Sequence, residues 1–249
     1  ANTPRVWVTR EIVSFSGETV TAGPKAVTTV SGDVYLAVVT HKPFKENRFY
    51  ILHSAGGLSW DGFASPVYTY ATEVDKACHL DFLVTAEGFH LVWEDTACAV
   101  RHLFVSHDGR ERVPTEITPS GGQPVLVETP EGVKVYYLQR SGFGYYPEVV
   151  SRNWLSGQHA WTGEAEVLAA DPGYSYSSLS AAVSTSGQVY LSAVHYVFAG
   201  DYEIHIADLS GSLLRINTAH STATATAAVR AGSQVEVFWG EESGDTDGQ

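Results

Sequence analysis

One pattern recurs five times along the chain and constrains its fold more than any single residue does. A short apolar run, a turn containing glycine and a second alternating run appear as KAVTTVSGDVYLAVVT (25–40), LDFLVTAEGFHLVWED (80–95), PVLVETPEGVKVYYLQ (124–139), SAAVSTSGQVYLSAVH (180–195) and TAAVRAGSQVEVFWGE (226–241). Alternation of period two broken by a glycine turn is the pattern of a β-hairpin. The turn glycines Gly32, Gly88, Gly132, Gly187 and Gly232 lie 44 to 56 residues apart, as expected of one structural unit repeated with loops of variable length.

Two further strand-like runs follow each of the first four hairpins. The third is NRFYILHS, RHLFVSHD, PEVVSRN or EIHIADLS, and the fourth SPVYTYAT, VPTEITPS, EAEVLAA or LLRINTA. The fold expected is therefore all-β: a single five-bladed β-propeller of four-stranded blades, with blades at about 21–73, 76–120, 123–170 and 174–219. The fifth hairpin has only a polar tail after it (243–249), whereas the chain opens on two strand-like runs within residues 5–16. Those runs are expected to join hairpin 226–241 and close the ring, leaving no long sheet edge exposed. A β-sandwich also shows many short strands, but it gives no reason for five aligned hairpins or for ends that complete each other. No stretch has convincing helical periodicity.

Composition narrows the function classes. The chain has 249 residues, enough for one sizeable core, and 17% charged against 12% aromatic residues marks it as globular. With 15 Lys and Arg against 28 Asp and Glu, a net charge of -13 and no basic run, nucleic acid is excluded as an expected partner. No apolar run approaches the ~20 residues of a membrane span, so membrane insertion is not expected. The chain holds no Met, and its start at Ala1 reads as processed, by loss of an initiator or of a signal peptide. Cys78 and Cys98 lack zinc-site clustering, so no metal is expected; they are read as a disulfide or as two free thiols. No P-loop, GxGxxG, HExxH or GxSxG stands in a suitable context, and no cofactor is expected.

The segment HSAGGLSWDG (53–62) resembles the Asp-box of sialidase-type propellers: Gly57, Ser59 and Trp60 fit, while His53 and Ala55 replace the usual Ser and Asp. SHDGRE in the second unit keeps Ser106 and Asp108. The resemblance implies a propeller; the motif is a turn away from the catalytic face and implies no activity. Sialidases also use three arginines, and although Arg48, Arg101 and Arg140 each stand at or just before a third strand, the triad is not carried over. Five-bladed glycosidases of the arabinanase and invertase type place an Asp on the inner strand of the first blade, where TAGPKAVTT offers Lys25 instead. In length the chain is similar to five-bladed lectins of the tachylectin kind.

In such a fold the loops leaving the second strands gather on one face. Aligned there are Thr40, Asp95, Gln139, His195 and Glu241, flanked by His41, Glu94, Arg140, Tyr196 and Glu242. Tyr145, Tyr146, Tyr174, Tyr176, Tyr196 and Tyr202 lie in neighbouring loops, and such rings stack on sugars. Trp93 and Trp239 are read as core. The expectation is a non-enzymatic, lectin-like protein that recognises a glycan or another surface ligand, secreted or on a virion as a tail or decoration component, with oligomers open. One alternative is a glycoside hydrolase using Asp95 and Glu241, or Glu94 with Glu73 and Asp75 nearby; another is a structural assembly subunit.

Overall fold

The computed structural model describes residues 14–42, 46–56, 59–62, 65–71, 76–140, 146, 148–169, 175–197, 201–209, 212–218, 221–231 and 234–243. They form five antiparallel sheets in chain order. The first holds β1 (Thr19–Thr28), β2 (Asp33–Lys42) and β3 (Glu46–Ala55), with β4 (Asp61–Gly62) and β5 (Tyr68–Ala71) on different ends of β3. The second is β6 (Ala77–Val84), β7 (Gly88–Asp95), β8 (Val100–Ser106) and β9 (Arg112–Thr118). The third is β10 (Gly121–Thr129), β11 (Gly132–Gln139) and β12 (Glu148–Leu155), with β13 (Ala160–Trp161) and β14 (Ala165–Ala169) both on β12. The fourth is β15 (Ser175–Val183), β16 (Val189–Val197), β17 (Asp201–Asp208) and β18 (Leu213–Thr218). The fifth pairs β19 (Ser221–Ala231) with β20 (Gln234–Ser243). Among the described residues the one helical piece is a 3-10 turn at Ser156–Gln158.

The expected hairpins are the first two strands of each sheet. Their turns use glycine where the backbone demands it: Gly32 and Gly187 have φ of 88° and 83°, a region that L side chains rarely adopt. The closure expected from residues 5–16 falls mostly outside the described residues. Phe15, which is described, packs its ring against Tyr50 in a tilted pair with centroids 4.7 Å apart, and packs with Leu36, Val38 and Leu52 of the first sheet.

The cores lie between sheets, because alternate residues of one strand face two different neighbours. On β7, Phe89, Leu91 and Trp93 join Ala37, Val39, Phe49 and Ile51 of the first sheet. Val92, from the opposite face of the same strand, joins Val135, Tyr137, Val150 and Trp154 of the third. Tyr136 and Leu138 then face Tyr176, Leu191 and Ala193 of the fourth. Every residue of β7 is consequently buried. Each large apolar side chain contributes about 1.5–3 kcal/mol by leaving water, so the face-to-face stacking of sheets holds the fold together.

The first strands β1, β6, β10, β15 and β19 pack against one another in that order. Each carries a register shift near its start: around Ala22, between Cys78 and Asp81, between Gly122 and Val125, between Ser177 and Ser180, and between Ala223 and Ala225. In the first four, one residue of the bulge takes positive φ: Gly23 (87°), His79 (46°), Gln123 (50°) and Ser178 (54°). At Gly23 a Cβ would stand 2.8 Å from the Ala37 carbonyl oxygen, so this position requires glycine. A bulge re-aims the side chain it carries, and here it turns side chains toward the place where the first strands meet.

Candidate functional site

A cavity of about 310 Å³ opens at that place, with Lys25, His79, Gln123, Ser177 and Ser178 among its lining side chains and Leu80, Pro124, Val125 and Leu179 as its apolar part. Four sheets contribute to it. A concave surface with a few convergent polar groups on an apolar base is the usual form of a small-ligand site.

Two carboxyl groups contact the residues that line it. Glu94, at the end of β7, meets His79 Nδ1 at 2.8 Å and accepts the Gln123 backbone N–H at 2.9 Å. Gly122 makes this approach possible, since a Cβ there would lie 2.8 Å from Glu94 Oε2 and 3.0 Å from the Tyr146 hydroxyl. The His79 imidazole is pushed up to about 10, first by its hydrogen bond with Cys78 and then by Glu94, so it carries a proton at neutral pH. Burial pushes the Tyr146 hydroxyl up to about 12, with Glu94 and Cys98 adding to the shift. Asp81, on β6, lies 3.5 Å from Lys25 Nζ and accepts the Leu126 N–H at 2.7 Å. Its burial raises the carboxyl above the usual range, against the pull of Lys25 and of that N–H.

Three residues of the polar column expected at the second-strand exits bond within their own sheets. Thr40, fully buried, donates to Glu18, which also binds Arg48 and Tyr50. Although burial opposes it, the hydrogen bonds from Thr40 and Arg48 hold Glu18 below the usual carboxylate range. Asp95 is 1% exposed: it accepts the Ala97 and Ala99 N–H groups and binds Arg101 Nε at 2.8 Å. His195 is buried beside Glu203 and Tyr176. These three therefore serve polar clusters inside their own sheets. Gln139 and Arg140 are half-buried at the end of β11, and Tyr196 and Tyr202 form a cross-strand pair 5.3 Å apart on the fourth sheet. Glu241 belongs to β20 through its backbone, and its side chain, like Tyr145, Tyr174, Glu73 and Asp75, lies outside the described residues.

Of the residues expected at the site, Glu94 and Tyr146 meet near the cavity. Lys25, His79, Asp81, Gln123 and Ser178 join them without having been expected there. A signal for part of this set exists in the repeat: Gly23, His79, Gln123 and Ser178 each stand nine residues before the turn glycine of their hairpin. Cys78 and Cys98 are free thiols, and Cys78 Sγ donates to the Glu94 carbonyl oxygen at 3.3 Å. Trp93 is core, against Phe49. The Asp-box-like SHDGRE is a turn between β8 and β9, closed by Ser106 donating to Asp108 at 2.6 Å.

No protein-family model matches the chain, and no curated protein matches it by sequence. Solved structures do match in shape. The α-L-arabinanase of Penicillium chrysogenum, complexed with arabinobiose, superposes with a TM-score of 0.58 at 13% identity, over 90% of this chain and 78% of the other. The endo-arabinase of Bacteroides thetaiotaomicron gives 0.55 at 10% identity, over 90% and 88%. A thermostable family-43 glycoside hydrolase gives 0.52 at 9%, over 90% and 84%. At such identities the likeness establishes the fold, an all-β propeller-like architecture, and does not single out the Asp-box propellers. It also corrects the expectation of a non-enzymatic lectin-like protein. These three neighbours are carbohydrate-cleaving enzymes, not lectins.

Proposed function

We propose that the chain is a glycoside hydrolase, built as a five-bladed propeller, whose substrate lies over the cavity between the first strands. The observation that carries this reading is the placement of two carboxyl groups in different surroundings, each against residues that line one cavity: Asp81 against Lys25, and Glu94 against His79 and Gln123. Cleaving a glycosidic bond requires one carboxyl that gives a proton and one that acts from the other side of the sugar. Asp81, which burial keeps protonated to higher pH, gives the proton to the leaving oxygen. Glu94, fixed by His79 and the Gln123 N–H, takes the proton of the attacking water. Gln123, Ser178 and Tyr146 supply hydrogen bonds to sugar hydroxyls.

Lys25 stands where arabinanase-like enzymes carry an Asp, and in this chain the neighbouring sheet brings a carboxyl to that place, Asp81, at 3.5 Å. Three of the likenesses in shape belong to carbohydrate-cleaving enzymes and support the same class of substrate. The test is release of reducing ends from a panel of polysaccharides that includes arabinan. Activity that disappears in Glu94→Gln while substrate binding persists supports the proposal. No release from any polysaccharide, or a Glu94→Gln variant as active as the parent, overturns it.

A further inference from the structure

The fourth sheet carries a second cluster of chemically competent side chains that the proposed reaction does not use. His195 on β16 lies directly across from Glu203 on β17, and His205 follows Glu203 by two residues. Because side chains of a strand alternate, all three project from the same face of the ribbon. Their ligand atoms lie within 4.8 Å of one another. Glu203 Oε2 is 3.5 Å from His195 Nδ1 and 2.9 Å from His205 Nε2.

We propose that His195, Glu203 and His205 form a binding site for a divalent transition-metal ion of the Zn²⁺ type. A tetrahedral zinc with bonds of about 2.0–2.2 Å separates neighbouring ligand atoms by roughly 3.4 Å, and the two distances to Glu203 bracket that value. Imidazole donors favour Zn²⁺ and its neighbours over Ca²⁺ or Mg²⁺, which take oxygen ligands. The other ring nitrogen of His205, Nδ1, meets the Tyr176 hydroxyl at 3.2 Å, and that hydroxyl also donates to the Ala169 carbonyl at 3.4 Å. A metal-bound histidine is commonly oriented by such a bond on its second nitrogen. Both imidazoles are buried while the Glu203 side chain keeps 22% of its surface exposed, so an ion reaches the site from the carboxylate side and a water completes its coordination. Arg215, across from His205 on β18, adds a positive charge, but it is exposed and screened by solvent.

The experiment uses the full chain stripped with a chelator, titrated with Zn²⁺ by calorimetry and with Co²⁺ by absorption. The proposal expects one equivalent bound, a higher melting temperature with Zn²⁺, and visible Co²⁺ bands without a thiolate charge-transfer band. Glu203→Gln and His205→Gln should abolish saturable binding, and Tyr176→Phe should weaken it about tenfold to hundredfold. Should His205→Gln fail to fold, Glu203→Gln, at a partly exposed position, decides alone. No binding by the parent, undiminished binding by Glu203→Gln, or a thiolate band that vanishes in Cys78→Ser overturns the assignment; the last outcome would move the ion to Cys78, His79 and Glu94.

Discussion

His79 Nδ1 and Glu94 Oε2 meet at 2.8 Å, although His79 stands in a bulge of β6 and Glu94 near the far end of the strand that follows. The contact exists because the bulge between Cys78 and Asp81 gives His79 a φ of 46° and swings its ring toward the cavity. Glu94 is then held from two sides, by the imidazole and by the Gln123 N–H of the next sheet. The geometry of the proposed site rests on this clasp.

Crowding the clasp should damage activity more than folding. In Gly122→Ala the new Cβ meets Glu94 Oε2 at 2.8 Å and the Tyr146 hydroxyl at 3.0 Å, and both are ends of side chains that can shift. The expected cost in stability is about 1–2 kcal/mol, with a fall in kcat of roughly a hundredfold, as for a misplaced catalytic group. Thermal melting and initial rates on the same preparation check this. Unchanged rates would remove Gly122 and the Glu94 geometry from the mechanism.

The His79 clasp should also make stability depend on pH on the alkaline side. Its folded pKa is raised, to about 10 from 6.5, so the folded protein holds the proton more tightly than the unfolded chain. The stabilisation is complete below pH 6.5 and is lost as pH rises through about 10. Melting temperatures taken across that window should fall more in the parent than in His79→Gln. Parallel curves would show that the ring gains no proton affinity on folding.

A second pair acts on the acid side. His90 and His102 lie 3.0 Å apart between the second and third sheets, fully buried beside Trp154. Burial pushes His90 down to about 4 and His102 well below its usual value. Their folded pKa values are depressed, so the unfolded chain binds the protons first, and stability is lost as pH falls from 6.5 toward 4. Denaturant titrations should show a loss of up to roughly 1.4 kcal/mol per pH unit for each histidine. The double change His90→Gln with His102→Gln should flatten the slope, and an unaltered slope would assign the acid sensitivity elsewhere.

Asp95 should prove a structural residue. Its carboxylate caps two backbone N–H groups of the turn after β7 and pairs with Arg101, which also reaches Glu116 and lies over the Tyr70 ring. Asp95→Ala should cost about 3 kcal/mol, because it leaves buried donors unmatched. Its kcat at a temperature where the variant is folded should match the parent. A stable but inactive Asp95→Ala would return this residue to the catalytic set.

The hairpins were legible in the sequence because their causes are local. Period-two alternation and a glycine able to take positive φ, as at Gly32 and Gly187, act within about a dozen residues, and the repeat made the signal redundant. Which polar residues meet was not legible. Asp95 and His195 looked like solvent-facing strand ends, yet Arg101 folds onto one and Glu203 with His205 surrounds the other, through partners chosen by strand register. The column that does reach the cavity stands nine residues before each turn glycine, and His79, Gln123 and Ser178 are ordinary residue types for a strand. Only the packing of the first strands against one another, with a left-handed residue in four of their five bulges, turns these side chains to a common point. Strand pairing is a property of neighbouring residues, whereas convergence at a cavity depends on how whole sheets are stacked.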